Sequence, residues 1–160
     1  MAERELNVFH RALENFAKSK PGGWYYLNIA PPVDRVLMKV SGGRLNANFG
    51  FPILVLHNKG AKSGIVRETP LLYAPDGDNV IVVASKAGSP KNPGWYYNLK
   101  AHPDVEVNRK GKVEQRRARE AQGEEYERLW AVVNHGYAGY ETYQGRAGDR
   151  KIPLMVLEPR

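Results

Sequence analysis

The 160-residue chain contains no cysteine. This absence excludes disulfide bonds, thiolate nucleophiles, iron–sulfur clusters and zinc sites with sulfur ligands. A redox function would therefore need a bound organic cofactor or a metal held without sulfur. The four histidines show no paired metal-ligand spacing, so we predict no metal site. No nucleophile-elbow motif is present, which disfavours hydrolysis by a serine nucleophile.

Long apolar runs are also missing. No window of about 18 apolar residues occurs, so the sequence predicts no membrane-spanning helix. The N-terminal stretch MAERELNVFH carries two glutamates and lacks the apolar segment of a secretory signal. These features favour a cytoplasmic protein.

Acidic residues are too few to balance the basic ones, and the net charge is +7. Such a field attracts nucleic acid, acidic lipid or a phosphorylated cofactor. The densest basic run, NRKGKVEQRRAR at 108–119, is typical of a solvated hairpin. A nucleic-acid-binding module is an alternative interpretation, but this run lacks aromatic residues, and the aromatic clusters lie beside glycine and proline turns. We therefore favour a protein that binds no nucleic acid.

The first 50 residues predict a helical extension. Residues 4–18 place apolar side chains at helical spacing, which indicates an amphipathic helix packed on the core or on a second subunit. The alternative is peripheral contact with a membrane surface, which would make the protein membrane-associated. A second short helix is predicted after Pro31-Pro32.

Short strands and turns dominate from Phe51 onward. The segments PILVLHN, IVRETPLLYA and NVIVVAS predict an antiparallel meander, and DVEVN with GKVEQRRAR predicts a further hairpin. IPLMVLE predicts a final buried strand, and helices are predicted at about 93–102 and 123–135. The fold class is therefore mainly β with peripheral helices (α+β), built on a small barrel. We divide the chain into residues 1–50 and 51–160 of one structural domain.

Two turns of this barrel have the composition of anion sites. KGAKSGIVR combines glycines that let N–H groups converge with Lys62, Ser63 and Arg67. The loop of residues 84–92 leads into a helix N-terminus, where Asn92 is a predicted N-cap before Pro93. Trp95 and Tyr96 follow at once and could cover a flat ring. A ligand with one planar and one anionic end would fit both features.

A tyrosine-rich segment supplies candidate proton donors. Tyr137, Tyr140 and Tyr143 are three residues apart and would share one face of a helical turn. Such a stripe is more often packing than catalysis, but the interleaved glycines favour a mobile lid. A phenol can donate a proton or polarise a carbonyl.

The segment GAKSGIVRETPLLYAPDGDNVIVVASKAGSPKNPGWYYNLKAHPDVEV resembles the deazaflavin-dependent nitroreductase family of actinobacteria. The glycine–lysine–serine turn, the strand with Arg67 and Pro70-Leu71, the Ala84-Ser85 pair and the Trp95-Tyr96 helix occur in the family order. GYAGYETYQGRAGDRKIPLMVLEP also matches, and the likeness covers about residues 21–160. It implies an FMN-binding-like split β-barrel and an F420H2-dependent reductase of the nitroreductase or quinone reductase type. The cofactor would be reduced coenzyme F420.

The resemblance also implies the site residues. Lys62, Ser63 and Arg67 would contact the cofactor's phosphate and acidic tail, and Thr69 and Pro70 would line its ring. The full cofactor set comprises Ala61, Lys62, Ser63, Arg67, Glu68, Thr69, Pro70, Leu71, Leu72, Val83, Ala84, Ser85, Lys86, Gly94, Trp95, Tyr96, Tyr97, Asn98 and Tyr140. The catalytic candidates are Tyr137, Tyr140, Tyr143 and Ser85.

One departure from the family affects the acceptor. The member that activates nitroimidazoles has tyrosine and asparagine where this chain has Leu72 and Thr69. The acceptor wall is therefore more apolar, and quinones and conjugated enones are favoured over nitroimidazole prodrugs. The partner would be this small-molecule acceptor, with the protein a monomer or homodimer. An FMN-dependent split-barrel oxidoreductase and a non-catalytic cofactor carrier are the alternatives with the same fold.

Overall fold

The computed structural model describes residues 51–160 continuously, together with isolated positions between residues 15 and 40. The helices predicted at 4–18 and after Pro31-Pro32, and the extension of residues 1–50 as a unit, lie outside the continuously described residues. No helix of the described part has the length and apolar character needed to cross a bilayer.

Six strands form a closed antiparallel barrel with the strand order β1-β2-β3-β6-β5-β4. The predicted barrel is thus confirmed. The strands are β1 (Ile53–Lys59), β2 (Val66–Asp76), β3 (Asn79–Val83), β4 (Asp104–Arg109), β5 (Lys112–Glu120) and β6 (Leu154–Pro159).

Tight turns set the register of the two predicted hairpins. Gly77 adopts φ 60° between β2 and β3, and Lys110 and Gly111 adopt φ 53° and 82° between β4 and β5. The consecutive positive φ values of Lys110 and Gly111, and the single one of Gly77, match the two kinds of two-residue turn that suit the right-handed twist of a hairpin. β1 then pairs with β4 on one side and β2 on the other.

Within residues 51–160, three helices surround the barrel: α1 (Gly94–Ala101), α2 (Gly123–Gly136) and α3 (Gly139–Arg146). A single 3₁₀ turn, Lys86–Gly88, follows β3. The N-cap prediction was wrong by one residue, since Pro93 is the N-cap of α1 and has no side-chain capping bond. The Asn92 amide oxygen instead accepts a hydrogen bond from Arg150.

The apolar core divides into two layers because β3 is buried on both faces. Val80 and Val82 face the barrel interior with Leu54, Leu56 and Trp95. Ile81 and Val83 face outward, against a cluster that includes the buried side of α2 and α3. A strand covered on both sides reads as a continuous apolar run, as NVIVV does.

Candidate functional site

An open groove of about 670 Å³ lies where the β1–β2 turn meets the N-terminal half of α1. It brings together most of the predicted cofactor residues from the turn, from β2 and from α1. Those that line it are Ala61, Lys62, Ser63, Arg67, Thr69, Gly94, Trp95, Tyr97 and Asn98. Two further lining residues, Asn58 and Gly60, were absent from the predicted set.

Backbone hydrogen bonds fold the β1–β2 turn tightly. The Gly60 N–H donates to the Ile65 carbonyl at 2.8 Å, and the Gly64 N–H donates to the Gly60 carbonyl at 2.9 Å. Gly64 adopts φ 67°, a left-handed conformation that strongly favours glycine. The turn therefore projects the exposed side chains of Lys62 and Ser63 at the groove.

Two asparagine side chains tie this turn to α1 and β2. The Asn98 amide oxygen accepts from the Ala61 N–H at 2.9 Å, and its Nδ2 donates to Asn58 Oδ1 at 2.6 Å. Asn58 is 1% exposed, and its Nδ2 donates to Thr69 Oγ1 and to the Arg67 carbonyl, each at 3.2 Å. Buried amides with satisfied partners fix a local geometry, so this pair sets the shape of the groove floor.

The cations of the groove have no acidic partners among the described residues. Within that part of the chain, neither Lys62 nor Arg67 lies within 4.0 Å of a carboxylate, and the same holds for Lys86 and Lys91. Unpaired cations at a concave surface attract anionic ligands. The groove thus has the size and the charge to hold an elongated anion.

A second, largely apolar cavity of about 270 Å³ lies between β2 and α2. Four predicted site residues line it: Leu72, Val83, Tyr137 and Tyr140. Phe51 packs edge-on against Tyr137 with ring centroids 5.6 Å apart. The cavity is suited to a flat, uncharged molecule with few hydrogen-bonding groups.

The three predicted tyrosines are buried and mutually in contact. Tyr137 and Tyr143 place their hydroxyl oxygens 3.0 Å apart, and all three rings meet one another. The three rings thus pack together in the core, and Tyr140 also lines the cavity. Among the described residues, the Tyr140 hydroxyl has no hydrogen-bond partner.

Burial keeps these phenols neutral. It raises the pKa of Tyr140 well above its ordinary value, and the neighbouring Tyr143 adds to the effect. Burial also raises the pKa of Tyr143, against a lowering by the hydrogen bond with Tyr137. A neutral phenol with no other acceptor can donate a hydrogen bond to a carbonyl in the cavity.

The remaining predicted residues line neither cavity. Leu71 and Ala84 pack with the barrel-interior cluster. Tyr96 turns away from the groove and its hydroxyl donates to Glu120 Oε2 at 2.9 Å. The others in this group are Glu68, Pro70, Ser85, Lys86 and Tyr143.

Two side chains that organise the site were missed by the sequence analysis. Asn58 follows the apolar run ILVL and His57 in β1, and a polar residue on that strand was the available signal, since a buried amide needs specific partners. Arg150 bonds to the 84–92 loop from more than 50 residues further along the chain. No local pattern marks a contact of that range.

The barrel, the cationic groove and the adjoining tyrosine cavity define a cofactor-binding enzyme of the split-barrel class. The profile of the family described as F420H(2)-dependent quinone reductase matches residues 23–159. The chain belongs to this family. An F420H(2)-dependent quinone reductase of Mycobacterium tuberculosis (strain ATCC 25618 / H37Rv) is 48% identical over 112 residues, 68% of this chain and 74% of that protein.

Solved structures agree with this assignment. An F420-H2 dependent reductase, FDR-A, is 42% identical with a TM-score of 0.62, covering 67% of this chain and 94% of its own. A domain-swapped dimer has the same identity and TM-score and is covered over 80% of its chain. The predicted dependence on F420 is thereby confirmed, and the chain is an oxidoreductase with F420 as its cofactor. The description of the family names quinones as the acceptor, and the predicted nitroreductase type agrees with it only loosely.

Proposed function

We propose that this protein reduces a quinone with F420H2, and that the cationic groove holds the anionic part of the cofactor. The observation that carries this proposal is the set of groove cations that the described part of the chain leaves without carboxylate partners. Lys62 and Arg67 are exposed, and both line the same concave surface, which favours the binding of an anion there. The family of the chain supplies the identity of the anion.

The residues of the groove fit such a cofactor. Lys62 and Arg67 would hold its phosphate and acidic tail, and Ser63 offers a hydroxyl donor beside them. Trp95 would pack along the length of the cofactor. When bound, the reduced deazaflavin supplies a hydride to an electron-poor acceptor. The protein contributes orientation and a water-poor cavity for that acceptor.

The apolar cavity would receive the acceptor. Leu72 and Val83 offer a wall without hydrogen-bonding groups, which suits a quinone ring. Tyr140 Oη would donate a hydrogen bond to the quinone oxygen that gains negative charge, and the hydroquinone anion would then take its proton from solvent. Conjugated enones have the same polarisable oxygen and are the second acceptor class.

The first experiment titrates the purified protein with F420 and with FMN, followed by fluorescence. We expect saturable binding of F420 that weakens with salt, since its anionic groups are held by Lys62 and Arg67. Anaerobic oxidation of F420H2 is then followed with a soluble naphthoquinone, an enone and a nitroaromatic. Tighter binding of FMN than of F420 would contradict the proposal. F420 binding without oxidation by any acceptor would instead support a carrier.

The second experiment is the substitution Tyr140→Phe. We expect turnover with the naphthoquinone to fall by about tenfold or more, because the donor to the quinone oxygen is lost. Affinity for F420 should change little. Tyr126→Phe is the matched control, since Tyr126 is a buried phenol that lines neither cavity and bonds to the Ile152 carbonyl. Equal turnover in wild type and Tyr140→Phe would remove Tyr140 from the reaction.

Assembly and location are further parts of the proposal. The monomer or homodimer expected from the sequence is distinguished by analytical ultracentrifugation. Peripheral membrane contact through residues 4–18 is supported by their amphipathic pattern alone. Co-sedimentation with anionic vesicles, compared between the full chain and a variant with charge-reversed Arg4 and Arg11, tests that contact.

A further inference from the structure

The loop of residues 84–92, which joins β3 to α1, holds an unfavourable backbone conformation. Lys86 and Ala87 have φ values of 47° and 51°, and Gly88 follows at 80°. Left-handed conformations are unfavourable for residues with a Cβ and persist only where surrounding contacts impose them. Ser85 before them is right-handed, and this alternation turns successive N–H groups toward a common point.

Arg150 supplies the contacts that impose this conformation. Its Nε donates to the Ser89 carbonyl at 2.9 Å, and its Nη2 donates to the Ser85 carbonyl at 2.8 Å. Its Nη1 donates to the Ala84 carbonyl at 3.1 Å and to Asn92 Oδ1 at 2.6 Å. One guanidinium thus binds both ends and the middle of the loop. A lysine has a single point of attachment and could not make all four bonds at once.

The opposite side of the loop is fixed by α3. A Cβ on Gly88 would lie 2.6 Å from Arg146 Cβ and 2.7 Å from the Tyr143 carbonyl oxygen. The loop therefore lies directly against the helix that carries Tyr140 and Tyr143. A displacement of the loop away from Arg150 would press on this helix.

We infer that Arg150 is a positioning residue for F420H2, holding the 84–92 loop in its cofactor-binding conformation. The inference rests on the proposed function and extends its anion site, since Ser85 and Lys86 line neither cavity and would meet the cofactor only where it reaches beyond the groove. Arg150 acts through the loop, and its own guanidinium is occupied by four protein acceptors. No carboxylate within 4.0 Å accounts for its charge in the described part of the chain. Its bonds go to carbonyl oxygens of the loop and to Asn92, and they leave the exposed Lys86 side chain available to an anion.

The test compares Arg150→Lys and Arg150→Ala with the wild type in steady-state kinetics. We expect the KM for F420H2 to rise about tenfold in both, with kcat for the quinone little changed, because charged hydrogen bonds that order the loop are lost. Guanidinium at millimolar concentration should lower the KM of Arg150→Ala and leave that of the wild type unchanged. Arg119→Lys is the matched control, as Arg119 makes three bonds to Glu125 and Glu158 and touches neither cavity.

Hydrogen exchange without cofactor gives an independent readout. Amides of residues 84–92 should exchange faster in Arg150→Lys, while those of β1 and β4 stay protected. Should Arg150→Ala fail to fold, Asn92→Ala removes one acceptor and should raise the KM in the same direction by a smaller factor. An unchanged KM in Arg150→Lys and Asn92→Ala, or unchanged loop exchange, would overturn the inference. Failure of the wild type to oxidise F420H2 would instead overturn the proposed function.

Discussion

The described basic residues include two groups that differ in whether the cations are paired with carboxylates. On β5 and α2, three arginines lie within 4.0 Å of a carboxylate: Arg116 of Glu114, Arg119 of Glu125, and Arg128 of Asp76. We call this the paired side. Around the groove, Lys62 and Arg67 have no such partner among the described residues. The two regions therefore differ in whether their cations are neutralised by neighbouring carboxylates.

The difference shows where the net charge of +7 acts. On the paired side, carboxylates cancel the field locally and fix the surface, whereas the sequence predicted only a solvated hairpin over residues 108–119. At the groove, amides rather than carboxylates hold the turn through Asn58 and Asn98. Because these bonds involve no carboxylate, the charges of Lys62 and Arg67 remain available to a ligand. Charge at the groove should therefore govern binding, and charge on the paired side should govern stability.

The largest expected effect follows from removing the positive charges of the groove. Replacing both Lys62 and Arg67 by alanine should raise the Kd for F420 by about a hundredfold or more, since each charge-assisted contact is worth well over 1 kcal/mol. The free energy of unfolding should hardly change. Fluorescence titration and urea unfolding measure the two quantities. The control is Arg117→Ala, an exposed arginine paired with Asp104 that should leave the Kd within about twofold.

The second-largest effect follows from removing one carboxylate of the paired side. Glu114→Gln should lower the free energy of unfolding by about 3 kcal/mol, because Arg116 is buried and would lose its counter-charge. Although burial opposes ionisation, hydrogen bonds from Arg116 and Arg109 lower the pKa of Glu114. In the wild type this stabilisation is therefore present at neutral pH and lost as the pH falls through that lowered pKa.

Glu114→Gln should leave the Kd for F420 within about twofold of the wild type, since no groove residue contacts it. A large loss of F420 affinity without loss of stability would show that charge is not divided between the two regions in this way.

The smallest expected effect is a loss of stability at high pH that arises from Tyr126 on α2. Burial raises the pKa of Tyr126 to about 12, against an ordinary value of 10.0. A raised phenol pKa stabilises the fold fully below pH 10 and loses that contribution as the pH rises toward 12. The stability gap between wild type and Tyr126→Phe should therefore narrow from pH 8 to above pH 11, as followed by urea midpoints. A gap that widens would contradict the assignment.

The sequence predicted the barrel because the signals for strands and hairpin turns lie within short segments of the chain. Alternating apolar residues and the turns at Gly77 and Lys110-Gly111 specify antiparallel pairs between neighbours in the chain. The position of β6 between β3 and β5 has no local signal, since it depends on pairing over more than 70 residues. The cap of α1 was misassigned because Asn92 binds Arg150 instead of the helix end.

Prediction of the site had a similar limit. The cations and aromatic residues of the groove could be identified from the ordered motifs alone, because each segment carries its own pattern. Which of Tyr96 and Tyr97 lines the groove could not be predicted, because Tyr96 is turned away by a hydrogen bond from its hydroxyl to Glu120. Contacts of that kind are made only after the sheet has closed.

The position of β6 also determines when the protein can fold during synthesis. This strand hydrogen-bonds to β3 on one side and β5 on the other, so the sheet stays open until residues 154–159 have left the ribosome. Until then, two edges offer unpaired N–H and carbonyl groups to any other extended chain. A nascent or truncated copy is therefore the form of this protein most exposed to aggregation and to strand exchange between copies.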